Sequence, residues 1–221
     1  MSVQAGEEFL LPIFPLPNIV FFPQTRLPLH VFEPRYRQMV KDALEADQRI
    51  GIVLLRPGWE ADYFGAPAVY EVATIGTIEQ AVPLEDGRYN IVVRGDARVR
   101  VLDEVSRDPY RTARVVARPE TPRALEDAYA QREWLADLSR QYLRYLPDQA
   151  AVPELETVNL DALTNALIMS LNLDVEEKQK LLEMDDVLKR AEEVGTELTS
   201  RVESLRFLAP YRHGGGDPSR N

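Results

Sequence analysis

Between residues 11 and 40, apolar side chains follow one another with little polar relief, broken by Pro12, Pro15, Pro17, Pro23, Pro28 and Pro34. Six prolines forbid a helix here, so the stretch is read as extended chain and turns until Pro34 opens a helix. Tyr36, Met39, Val40, Ala43 and Leu44 then recur at three- and four-residue spacing, predicting a short amphipathic helix to Ala46. Residues 50–55 (IGIVLL) form an apolar run suited to a strand covered on both faces, and Pro57-Gly58 ends it. Residues 59–67 hold aromatic residues without a period and are read as a loop. From there the pattern is β: residues 72–82, 89–93, 97–105 and 112–117, with turns expected at Glu85-Asp86-Gly87 and Gly95-Asp96. Alternation in residues 97–101 (ARVRV) sets valine on a core face and arginine on the other. Several short strands with tight turns predict a small barrel or strongly curved sheet.

The pattern changes at Pro119 and Pro122. Residues 124–146 carry a helical stripe of Leu125, Ala128, Tyr129, Leu135, Leu138, Tyr142 and Leu146, and residues 161–171 predict a second helix. Asp174 followed by Glu177 matches a capping box that starts a third helix to about Met184. A fourth, over residues 185–208, carries Leu188, Ala191, Val194, Leu198, Val202 and Leu205. The expected layout is α+β: a β barrel with a short helix in residues 1–120, a helical bundle in 121–210, and a disordered Gly-rich tail in 211–221.

Composition narrows the chemistry. The 221 residues carry 26 basic and 36 acidic side chains, a net charge of −10. Residues 1–120 hold 14 basic and 17 acidic residues and the remainder 12 and 19, so the second part is the more acidic, −7 against −3. This balance disfavours nucleic acid as a partner. With no cysteine, disulfides, thiolate metal sites and cysteine nucleophiles are excluded. Glu7 and Glu8 stand where a signal peptide would be basic, and no apolar run reaches the length of a membrane helix, so a cytoplasmic protein is expected.

Candidate chemistry is sparse. His30 and Glu33 resemble a base and its orienting carboxylate, but three residues apart in extended chain they point to opposite faces and lack a third member. No catalytic residue, metal ligand or cofactor is therefore expected. The structural reading has Glu33 capping the Pro34 helix or pairing with Arg35 or Arg37, with His30 satisfying backbone carbonyls. Arg94, Arg98, Arg100, Arg111, Arg114 and Arg118 suggest a basic ribbon, or else solvated strand faces paired with Asp96, Asp103 and Glu104. Phe14, Ile19, Phe21, Phe22, Trp59, Tyr63 and Phe64 are the candidate binding group: prolines limit backbone pairing nearby, which leaves apolar side chains to line a groove for an extended peptide. The Leu188-to-Leu205 stripe either covers its own core or forms a homo-oligomer seam.

The opening block with P-L-H-V-F-E-P-R-Y-R-Q-M (Pro28 to Met39, with His30, Glu33, Pro34, Arg35 and Tyr36 at its centre) resembles the amino-terminal, substrate-receiving domain of Lon proteases. Gly76-Thr77-Ile78, the run from Asp86 to Val93, the run from Gly95 to Val101, and Glu177-Lys178-Gln179 with Leu181-Leu182-Glu183 fall in the order of that family, over about residues 10–208. The resemblance implies a PUA-like β pseudo-barrel followed by a helical bundle. It also implies binding of unfolded or hydrophobic protein segments, with a protease or chaperone as the further partner. In full-length Lon several such domains sit on a ring. No G-x-x-x-x-G-K-[S/T] loop is present, and no room is left for ATPase or Ser-Lys protease domains, so a non-enzymatic module is expected. The rivals are an RNA-binding PUA-like protein and a residual hydrolase.

Overall fold

The computed structural model describes residues 6–62, 65–145 and 158–212, with side chains through residue 208. In chain order the elements are β1 (Glu8–Leu16), β2 (Arg26–Val31), α1 (Pro34–Glu45), β3 (Arg49–Leu54), β4 (Val72–Pro83), β5 (Tyr89–Ser106), β6 (Thr112–Ala117), α2 (Leu125–Leu143), α3 (Leu160–Ser170), α4 (Val175–Glu183) and α5 (Val187–Arg212). The loop read at residues 59–67 includes one 3-10 turn, Trp59–Asp62. Two compact units are distinguished: residues 1–121 with 168–185, and residues 122–167 with 186–221. Residues 168–185, grouped with the helices in the sequence layout, thus count with the sheet.

The first unit is built on a six-stranded sheet of order β2-β5-β4-β3-β1-β6, and a further β5–β6 pairing closes it. All neighbours are antiparallel except β1 and β3. β3 is buried at five of its six residues, as its apolar run requires. The expected turn at Gly95-Asp96 is corrected: β5 runs unbroken through it for 18 residues. Gly95 instead pairs with Gly76 beside a register shift in the β4–β5 ladder. A Cβ on Gly95 would lie 2.4 Å from the Phe22 carbonyl oxygen, so glycine serves close backbone approach rather than chain reversal.

One apolar cluster of this unit joins Phe14, Phe21, Leu27, Val31, Ile91 and Val93 to the inner face of α1, where Tyr36, Met39, Val40 and Ala43 are buried. The Phe14 and Tyr36 rings lie 4.3 Å apart. A second cluster, from Leu11 and Ile13 to Val99 and Val115, fills the space inside the closed sheet. α4 opens with the expected capping box, in which the Asp174 N–H donates to Glu177 at 3.2 Å. Its Gln179 donates to the Val72 carbonyl at 3.1 Å.

In the second unit α2 packs on α5, and Leu135, Ala136, Leu163, Val194, Leu198 and Val202 are buried. The stripe from Leu188 to Leu205 lies half-buried at its ends and buried between them, covering its own unit. The α2 stripe is only partly realised: Leu125 and Tyr129 are 88% and 67% exposed, with burial beginning further along the helix at Leu135 and Ala136. Leu146 lies outside the described residues. The tail expected from residue 211 is helical through Arg212, and residues 213–221 lie outside.

Candidate functional site

The aromatic group expected to line a groove is corrected by the fold. Phe14, Phe21 and Phe22 are buried, and Ile19 packs half-buried against the same cluster. The prolines do not hold these side chains out of the core. β1 still pairs with β3 and β6 on either side, and the link to β2 is drawn inward by Thr74, whose hydroxyl donates to the Phe21 carbonyl at 2.5 Å. Trp59 is half-buried on its 3-10 turn. Tyr63 and Phe64 lie outside the described residues.

An apolar concavity occurs elsewhere on the first unit, on the solvent face of β2, β5 and β4, with a volume of about 390 Å³. Cross-strand register builds it. Pro28, Val92 and Gln80 form one row across the three strands, and His30, Asn90 and Val82 form the next. Side chains directly opposite in an antiparallel ladder share a face, so Val82, 55% exposed, and Val92, half-buried, stand beside Pro28 on the outer side. Leu29 and Ile91 project inward to the core. Phe32, 60% exposed, follows β2, its ring stacked 6.3 Å from that of His30. The apolar surface thus runs along the edge of the sheet.

Charged groups bound it at both ends. At one end Glu79 accepts from Arg26 at 2.8 Å and pairs with Arg94 at 3.0 Å. At the other, His30 Nδ1 lies 2.7 Å from Asn90 Oδ1, and Arg88 lies 3.2 Å from His30 Nε2. A guanidinium only donates, so Nε2 accepts and Nδ1 carries the proton toward Asn90. Hydrogen bonds from Arg88 hold the Asp86 carboxyl below its usual range. His30 therefore bonds side chains, not the backbone carbonyls expected of it. Glu33 pairs with Arg35 at 3.0 Å and makes no side-chain cap. Arg35 in turn stacks over the Tyr36 ring at 4.7 Å. His30 and Glu33 share no hydrogen bond or ion pair, and among the described residues no cluster of His, Asp and Glu is placed to hold a metal ion.

Of the two readings of the strand arginines, the fold follows the pairing with Asp96, Asp103 and Glu104 and not the basic ribbon, although Arg98 and Arg111 are buried instead of solvated. Arg98 is buried and donates to the Leu182 and Met184 carbonyls at 2.9 and 2.8 Å. Arg111 is buried and pairs with Glu104, Arg114 pairs with Asp103 at 2.9 Å, and Arg94 pairs with Glu79 and Asp96. Arg118 pairs with Asp185, whose carboxyl its hydrogen bond holds below the usual range. Of these six arginines, Arg100 alone forms no ion pair with a described residue.

One signal in the sequence pointed toward the apolar face. Ile91-Val92-Val93 are three consecutive apolar residues in a strand that alternates faces, so one of them must turn outward. Pro28 in an edge strand is the second such residue.

Comparisons with known proteins bear on this architecture. A family model described as the substrate-binding domain of ATP-dependent protease La (LON) matches residues 10–200. Lon protease 2 of Myxococcus xanthus is 34% identical over 205 residues, covering 90% of this chain and 24% of that protein. Lon protease of Anaeromyxobacter dehalogenans is 33% identical over 206 residues, 90% and 24% of the two chains. The chain spans about a quarter of the length of these relatives. Among solved structures, a Lon N-terminal domain protein from Xanthomonas campestris aligns with a TM-score of 0.61 at 25% identity, over 84% of this chain and 96% of that one. The N-terminal domain of a Mycobacterium avium complex Lon protease aligns with a TM-score of 0.69 at 18% identity, over 87% and 98%, a likeness of fold.

Proposed function

Since the chain belongs to the family of Lon substrate-binding domains, we propose that it is a non-catalytic module that takes up exposed apolar segments of other polypeptides on the outer face of β2, β5 and β4. The observation that carries this reading is the apolar strip of Pro28, Val92 and Val82, continued by Phe32, on a sheet face otherwise made of polar and charged side chains. Isolated exposed apolar residues are ordinary, but a contiguous concave group of them suits a hydrophobic ligand. Few side chains are engaged, so affinity is weak. Linking several modules raises avidity by about 10²- to 10⁴-fold, and a single copy forgoes that gain. An adaptor role, holding an unfolded segment for a protease or chaperone, fits such affinity.

The test is a fluorescence titration of the purified chain with apolar and composition-matched polar peptides. Binding of the apolar peptides alone supports the reading. Equal or absent binding of both sets overturns it.

A further inference from the structure

Among the described residues β2 has a neighbour on one side only, because it ends the strand order β2-β5-β4-β3-β1-β6. In an antiparallel ladder the N–H and C=O of one residue point to the same side, and the side alternates along the strand. Proline sits in a sheet where its missing N–H faces away from the ladder. Pro28, opposite Val92, therefore sets the alternation. Leu27, Leu29 and Val31 bond toward β5, and the main-chain groups of Arg26, Pro28 and His30 face outward. No turn, loop or cap hydrogen bond among the described residues uses those outward groups. The edge thus offers the N–H groups of Arg26 and His30 and the carbonyls of Arg26, Pro28 and His30.

We infer that this edge receives an extended segment of another polypeptide as an added strand, with alternate large apolar side chains leaning across Pro28 toward Val92 and lying against His30 and Phe32. The inference rests on the peptide-binding reading above and specifies how the segment is held. Main-chain hydrogen bonds supply sequence-tolerant affinity, and the apolar strip selects alternating apolar residues.

Two observations favour a foreign segment over a second copy of this chain. Full antiparallel overlap of two β2 edges would set Pro28 against Pro28, where neither ring nitrogen can donate, so the central pair of hydrogen bonds is lost. The charges around the edge balance, Arg26, Arg37, Arg88 and Arg94 against Glu79, Glu85, Asp86 and Asp96. The chain as a whole carries −10, and this like charge opposes the approach of a second copy but not of an uncharged apolar segment.

The experiment uses the whole chain and a fluorescein-labelled peptide in which Phe and Val alternate with Ser. Two derivatives carry N-methyl groups on the odd or on the even amides. Strand addition turns one of these sets toward β2, so one derivative loses affinity by about tenfold or more while the other stays within about threefold of the parent. Equal behaviour of the two derivatives overturns strand addition, and if the parent still binds, the peptide-binding reading survives. Failure of the parent overturns both. On the protein side, His30→Pro removes one outward donor and is expected to weaken the parent peptide about tenfold beyond the effect of His30→Ala. Equal affinities of the two folded variants contradict the inference. A dimer in sedimentation that His30→Pro dissociates assigns the edge to a second copy and also overturns it.

Discussion

Pro28 and Val92 face each other across the β2–β5 ladder on the solvent side of the sheet, and this pairing places an apolar step between two charged ends, Arg26 with Glu79 and Arg88 with Asp86. These ends carry matched charges. Two peptides sharing one apolar centre, one with Asp and one with Lys flanks, are therefore expected to bind within about threefold of each other at 0.15 M salt, where exposed charges more than about 8 Å apart are largely screened. A larger preference for either flank contradicts the charge assignment.

The early aromatic residues belong to stability instead of binding. Phe21 is 1% exposed, and Phe21→Ala is expected to cost about 3–5 kcal/mol in urea unfolding. The same change at exposed Phe32 is expected to cost less than about 1 kcal/mol. Comparable losses at the two sites contradict the assignment of core and surface.

Arg98 ties the end of α4 to β5. Its buried guanidinium donates to the Leu182 and Met184 carbonyls and pairs with Glu120 and Asp185. Replacement by Met keeps the stem's packing but strands these acceptors, so Arg98→Met is expected to destabilise the fold by about 3 kcal/mol. Arg100→Met, two residues on and exposed, is expected to change stability by less than about 0.5 kcal/mol. Denaturation of the two variants decides whether the strand's arginines are structural or surface groups.

Asp185 makes part of the fold sensitive to acid. The hydrogen bond from Arg118, aided by the charge of Arg98, holds its carboxyl below the usual value, against a smaller opposing effect of burial. A folded-state value lower than the unfolded one contributes stability that is complete above the unfolded value, about 3.9, and is lost as pH falls through the folded value. Wild type is therefore expected to exceed Asp185→Asn in stability near neutral pH, with the two converging as pH is lowered past the carboxylate range. A difference that persists undiminished in acid contradicts this role of the ion pair.

Much of the fold was legible in local pattern. The α1 face of Tyr36, Met39, Val40 and Ala43 followed from helical spacing, and the capping box from Asp174 and Glu177. What local pattern misread was set by distant partners. Gly95 had the look of a turn residue, yet its place in an unbroken strand follows from the approach of the Phe22 carbonyl 73 positions earlier in the chain (95 − 22). Phe14, Phe21 and Phe22 had the composition of an exposed binding strip because prolines surround them, yet the pairing of β1 with β3 and β6 buries Phe14, and the hydrogen bond from Thr74 to the Phe21 carbonyl draws the link carrying Phe21 and Phe22 inward. The apolar strip is assembled from three strands in register, with Pro28, Val82 and Val92 brought together by ladders that no single window of sequence contains.

The most direct test of the central claim is the affinity of the Val82→Asp variant for an apolar peptide, followed by fluorescence anisotropy. Val82 is 55% exposed, so the substitution leaves the fold intact while setting a carboxylate in the apolar strip. A loss of about tenfold or more is expected, with an unfolding midpoint close to that of wild type. Undiminished binding by a folded Val82→Asp protein would contradict it.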